Sequence, residues 1–186
     1  MNNEEINLDG IDLSTIPHAP SLENIINRID YPIELFNIKT GQTKTLNLSL
    51  LILDHNKYYG FSIIYCTDDG FSYQAITSNA YATYQEFRQP HEAQGWRFKS
   101  KGARINAQVS GMLVSYGGTH AYLIDKQTLK SDGSNSVDIF AHDEDISEHD
   151  TVIAQKAFHK TMWRETVESA RESGIDEDLL NYVMGK

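Results

Sequence analysis

The tract His142-Asp143-Glu144-Asp145, followed by His149-Asp150, gathers two histidines and four carboxylates into one short stretch of chain. Imidazole nitrogen and carboxylate oxygen are ligands of zinc and calcium. The spacing suits neither ion, because no pair of histidines lies four apart on a helix face and no central glycine opens a calcium loop. No metal ligand and no cofactor is assigned on this basis. The stretch reads more simply as an acidic connection leading into a helix, where carboxylates favour the positive end of the helix dipole.

Glycines offer a second kind of chemistry. Gly102, Gly111, Gly117 and Gly118 punctuate the run GARINAQVSGMLVSYGGTHAY, residues 102–122. A phosphate-binding loop needs Lys and then Ser or Thr directly after its glycines, whereas Gly117-Gly118 precede Thr119-His120. A dinucleotide fingerprint needs three glycines between a strand and a helix, and this run leads into another apparent strand. No serine sits in a nucleophile elbow. A general acid–base pair needs proximity only in space, and the residue types single out none, so no catalytic residue is assigned and the chain is not expected to be an enzyme. The glycines read as backbone devices: a bulge or tight bend at Ser110-Gly111 and a hairpin turn with positive φ at Gly117-Gly118. Tyr116 and His120, beside that turn, are candidate recognition residues.

Charge gives the third lead. Among 186 residues, Lys plus Arg number 16 against 26 Asp plus Glu, a formal net charge of -10. Such a surface repels nucleic acid and anionic lipid and attracts a basic partner. Residues 138–150 hold no Lys or Arg, and Asp143, Glu144, Asp145, Glu148 and Asp150 are candidate partner-binding residues; Asp176, Glu177 and Asp178 form a second cluster. Concentrated negative charge of this kind accelerates encounter with a basic protein. Arg97, Lys99 and Lys101 alternate along an extended segment and share a face, which reads as an outward face beside buried Trp96 and Phe98.

The elements that must position these residues follow from periodicity. Residues 1–20, with Pro17 and Pro20, read as an irregular arm. Ser21 reads as the cap of a short helix through Ile29, with Leu22, Ile25, Ile26 and Ile29 on one face. Strands are predicted over 33–38, 45–53, 58–66 and 71–77, joined by short turns as an antiparallel meander with one buried and one wetted face. Ser78 or Asn79 caps a helix over 80–89 that Pro90 ends. Strands follow over 96–99, 103–109, 121–125 and 137–141. A long helix runs from Asp150 or Thr151 to Ser173, with Val152, Ile153, Ala157, Phe158, Met162, Trp163, Val167 and Ala170 as its apolar stripe, and a last short helix begins at Asp176. Strands come in runs and do not alternate with helices, so the fold class is α+β: one domain, 1–186, with a mainly antiparallel sheet, helices on one face and a long C-terminal helix. Trp96, Phe98 and Trp163 are expected in the core. The lone Cys66, among Ile63, Ile64 and Tyr65, reads as a small buried hydrophobe. The longest apolar runs, such as Leu50 to Leu53, are far too short to span a bilayer, and the acidic start Met1-Asn2-Asn3-Glu4-Glu5 carries no export pattern, so a cytoplasmic protein is expected.

The segments Gly95-Trp96-Arg97, Gly102-Ala103-Arg104, Ser110-Gly111-Met112, Gly117-Gly118 and Ala121-Tyr122 together resemble part of the small bacterial immunity proteins encoded beside secreted polymorphic toxins. The resemblance rests on turn glycines and core aromatics and implies no functional residue. It implies a cytoplasmic, non-enzymatic inhibitor that binds one cognate toxin domain. The residues alone leave two other readings open: a small-molecule-binding domain or unrecognised enzyme using a pocket between sheet and helices, and a structural or adaptor subunit.

Overall fold

The computed structural model describes residues 24–54, 62–66, 68, 73–77, 79–131 and 136–175. It is an α+β fold. Strands β1 (Ile25–Asn37), β2 (Thr43–Leu53), β3 (Ser62–Cys66), β4 (Tyr73–Thr77) and β5 (Trp96–Phe98) form an antiparallel sheet in the order β4-β3-β2-β1-β5. The first four make the expected meander, and β5 joins its β1 edge. A smaller antiparallel sheet has the order β6-β7-β8, from Ala107–Gln108, His120–Leu123 and Ser136–Asp138. The helices are α1 (Ala80–Ala93), α2 (Gly111–Ser115) and α3 (Val152–Glu172). The predicted arm, Leu22 and the predicted helix from Asp176 lie outside the described residues.

The stretch read as a helix up to Ile29 is the start of β1, which pairs with β2 from Ile25 to Phe36. Three-and-four spacing of isoleucines mimics a helix face, but β-branched side chains favour the pleated backbone, and β2 supplies a full-length partner. The two-residue alternation is seen farther along, where buried Ile33, Leu35 and Asn37 alternate with partly exposed Glu34 and Phe36. Pro32 sits inside this strand without breaking it. The Glu34 carbonyl accepts from the Lys99 amide, so position 34 faces the β5 edge, and Pro32, two residues back, faces the same edge beyond the end of β5. Its missing N–H is therefore not needed by β2.

The sheet does not keep one face wet along its whole area. Leu50, Leu51, Ile63 and Ile64 are all buried, so the middle of β2 and β3 is covered on both faces, and the aliphatic run from Leu50 to Leu53 reflects that. One core cluster takes Ile33, Leu35, Leu46, Leu48, Leu50, Ile64 and Cys66 from the large sheet, Tyr81, Tyr84 and Phe87 from α1, and Ala107, Ala121, Ile139 and Phe140 from the smaller sheet and its flank. Phe98 meets Tyr84 and Phe87 edge-to-face at 5.8 Å, and Tyr31 stacks on Phe140 at 4.4 Å. Cys66 is buried as expected.

Three further expectations change. The segment read as a strand over 103–109 is mostly a turn: Lys101–Ala103 is a 3-10 turn, Arg104 bridges His149, and only Ala107–Gln108 is strand. Gly102 lets this turn lie against Ile139, since a Cβ there would lie 2.7 Å from the Ile139 Cβ and 2.8 Å from its carbonyl oxygen. Secondly, α1 runs past Pro90 to Ala93, held by Glu92 in contacts described below. Thirdly, α3 buries Val152, Met162 and Val167 but leaves Ile153 76% and Trp163 50% exposed, so Trp163 is not a core residue. Trp96 is only partly buried, with the Lys44 ammonium 4.8 Å above its ring.

Candidate functional site

Two polar clusters and one exposed knob hold the chemistry. The first cluster ties α1 to α3. Arg88 is wholly buried, and its guanidinium lies 2.7 Å from the Glu92 carboxylate one helical turn on. It also donates to the carbonyls of Gly102 at 3.1 Å and Asp150 at 2.8 Å. Glu92 uses its second oxygen to accept from the Val152 amide at 2.8 Å, capping the first turn of α3. Gln155 donates to the carbonyls of Gly102 and Arg104 at 3.1 and 2.6 Å, and its own oxygen accepts from Gln85. Every member has a partner, as a buried polar network requires. Nearby, the Tyr84 hydroxyl meets Ser100 at 2.6 Å, and Tyr81 donates to the Ala107 carbonyl at 2.7 Å. Burial pushes both phenols up, Tyr81 to about 12, so neither is an acid or base near neutrality.

The second cluster sits at the Arg104–His149 bridge. Asp143 is 5% exposed and receives both Nε and Nη2 of Arg104, a bidentate pair, together with His149 Nε2 at 3.1 Å. Burial raises the Asp143 pKa, but the hydrogen bonds from Arg104 and His149 outweigh it and hold the carboxyl at about 2. His149 moves down, because burial disfavours the charged ring more than Asp143 favours it. With Nε2–H donating to Asp143, Nδ1 has no hydrogen-bond partner among the described residues, so a second proton there would be unsatisfied. A histidine and carboxylate in contact could in principle move a proton, but both are shut inside the fold.

The knob is α2. Ser110 caps it by accepting from the Leu113 amide at 3.2 Å. Gly117 and Gly118 end it with φ of 96° and 70°, and their amides close back on the carbonyls of Val114 and Leu113. The positive φ angles were legible, but they serve a helix stop and not a hairpin turn, and Ser110-Gly111 is a helix start and not a bulge. Gly118 packs against Asn79, where a Cβ would lie 2.8 Å from the side-chain oxygen that caps α1, and the Gly117 carbonyl accepts from the Ala80 amide. So α2 is seated on the N-terminus of α1. It buries none of its own residues fully: Met112 is 60% and the following Tyr116 79% exposed, with Val114 also at the surface.

The predicted recognition residues therefore separate. Tyr116 and exposed His120 lie at the start of β7. The acidic stretch lies toward its other end, where Lys126 ion-pairs with Glu148 and the Ile105 amide donates to the Glu148 carbonyl. Glu144 and Asp145 are exposed; Asp143 is a buried structural carboxylate, and Asp150 is half-buried with its carbonyl committed to Arg88. The face read as outward for Arg97, Lys99 and Lys101 is partly covered: Lys99 pairs with Glu34 at 2.6 Å, Arg97 comes within 4.0 Å of Asp150, and Lys101 belongs to the 3-10 turn. Sequence reasoning missed Glu92 and Gln155; the four-residue spacing of Arg88 and Glu92 on one helix was the available signal.

Among the described residues no group of three or more His, Cys, Asp or Glu is placed to hold a metal ion, and no helix is long and apolar enough to cross a membrane. No protein-family model matches the chain, and no curated protein matches it.

Proposed function

We propose that the chain is an immunity protein that neutralises a cognate bacterial toxin domain in the cytoplasm by direct contact. The observation that carries this reading is the α2 knob. Met112 and Tyr116 project from a short helix anchored through Gly118 and Asn79, and Met and Tyr are enriched at the centres of protein interfaces. An exposed aromatic on a rigid seat loses little conformational freedom on binding. His120 flanks the knob, while Glu144 and Asp145, away from it, supply the negative field that speeds the approach of a basic partner.

The test is co-expression with the toxin domain encoded next to this gene. Cell survival and a stoichiometric complex on size exclusion are expected; survival without a complex, or neither, sinks the reading. Within a complex, Tyr116→Ala should weaken binding at least tenfold through faster dissociation, with an unchanged melting temperature. Glu144→Lys with Asp145→Lys should slow association and flatten its salt dependence. Asp143 is left out of that reversal, because a lysine there would face Arg104 and test folding.

A further inference from the structure

Helix α3 carries a row of cations that have no ion-pair partner among the described residues. At about 100° per residue, Ile153, Lys156, Lys160, Trp163 and Arg164 fall within roughly a 100° arc of its surface. All five are exposed. Arg28, Arg88, Arg97, Lys99, Arg104 and Lys126 each have a carboxylate partner, whereas Lys156, Lys160 and Arg164, like Lys39, Lys101 and Lys130, have none among the described residues; only on α3 do three such cations share one helix face. Glu165 and Glu172 fall on the far side of the helix and Glu168 borders the stripe; Val167, on the same arc, is buried, so the open stretch ends near Arg164. In a chain of net charge -10, this is a local reversal of sign beside an exposed tryptophan.

We propose that this stripe binds an acidic segment of a partner protein, held in extended form with Asp or Glu at alternate positions. The spacing carries the class of ligand. Cations four apart on a helix are separated by a rise of about 6 Å, and alternate residues of an extended chain by about 6.6 Å, so three carboxylates at every second position meet Lys156, Lys160 and Arg164 in turn. The open stretch rises about 16 Å, the length of about five extended residues. An apolar side chain in the segment packs against Trp163 or Ile153, each of which otherwise leaves apolar surface in water. A short segment is favoured over a membrane surface or a nucleic acid duplex, because those extended polyanions would also approach the acidic remainder of the molecule. The proposal does not rest on the toxin-neutralising reading, which uses a different surface.

The test uses the intact chain and a fluorescein-labelled hexapeptide with glutamate at alternate positions and one leucine, read by anisotropy. Submillimolar binding that weakens with salt is expected. It should fall at least tenfold in Lys156→Glu/Lys160→Glu/Arg164→Glu and several-fold in Trp163→Ala, both with the wild-type melting temperature. The same peptide with its glutamates contiguous should bind less well. No binding up to millimolar peptide, binding indifferent to charge reversal, or stronger capture by phosphatidylserine vesicles or duplex DNA than by the peptide would overturn the proposal.

Discussion

Replacing Arg88 by methionine is expected to cost about 3–5 kcal/mol, the range for removing one partner of a buried ion pair. The loss goes beyond the pair itself. Glu92 would stay buried with a charge and no cation, and the carbonyls of Gly102 and Asp150 would lose a donor. Urea denaturation of the variant gives the number. The control is Arg88→Met with Glu92→Met, which removes both charges and should recover part of the loss, since an apolar pair of similar volume can replace a buried ion pair. A single variant within 1 kcal/mol of wild type would mean that water reaches Arg88.

Asp143→Ala is expected to cost about 3 kcal/mol at pH 7, the low end for a broken buried pair because Arg104 keeps access to water. Its pH dependence separates it from an ordinary packing loss. The Asp143 pKa is about 2 in the folded state against an ordinary 3.8, so its ionised form stabilises the fold fully above about pH 4. That contribution is lost as pH falls from 4 towards 2, with a size of about 2 kcal/mol at 1.36 kcal/mol per unit. His149 acts in the same direction at higher pH. Its folded value is depressed below 6.5, so the neutral ring's contribution is present above that pH and declines below it. The difference in urea midpoint between wild type and Asp143→Ala should therefore narrow as pH drops from 4 towards 2. A difference that stays constant over this range would show that Asp143 is not ionised against Arg104.

The large sheet was readable because its information is local. Alternation along β2 and the helix-capping Asn79 each depend on a few neighbouring residues. The opening of β1 was misread because Ile25, Ile26 and Ile29 satisfy helix spacing by coincidence, and only the partner strand decides between the two. Burial of polar groups was harder to see. Asp143, Glu144 and Asp145 are alike as a string of charges; what singles out Asp143 is Arg104, thirty-nine positions earlier, delivered by the turn that Gly102 permits. Trp163 reads as inward because it lies on the apolar stripe of the long helix, but α3 presents its contact face through Val152, Gln155 and Met162, and Trp163 falls at the margin of that face. The α2 knob was half legible: Tyr116 stood out as a recognition candidate beside glycines, while the helix beneath it did not.

The bond from the Val152 amide to Glu92 spans 60 positions in sequence. Helices usually find the acceptors for their first amides close by, so they can begin to form on local information. Here Thr151 serves the Ala154 amide, but the very first amide of α3 is answered only by a residue of α1. That single proton is thus a reporter on the closure of the whole chain. Its exchange with solvent deuterium requires α1 and α3 to part, so its protection measures the free energy of that separation, whereas the amides farther along α3 can exchange by fraying from the C-terminal end.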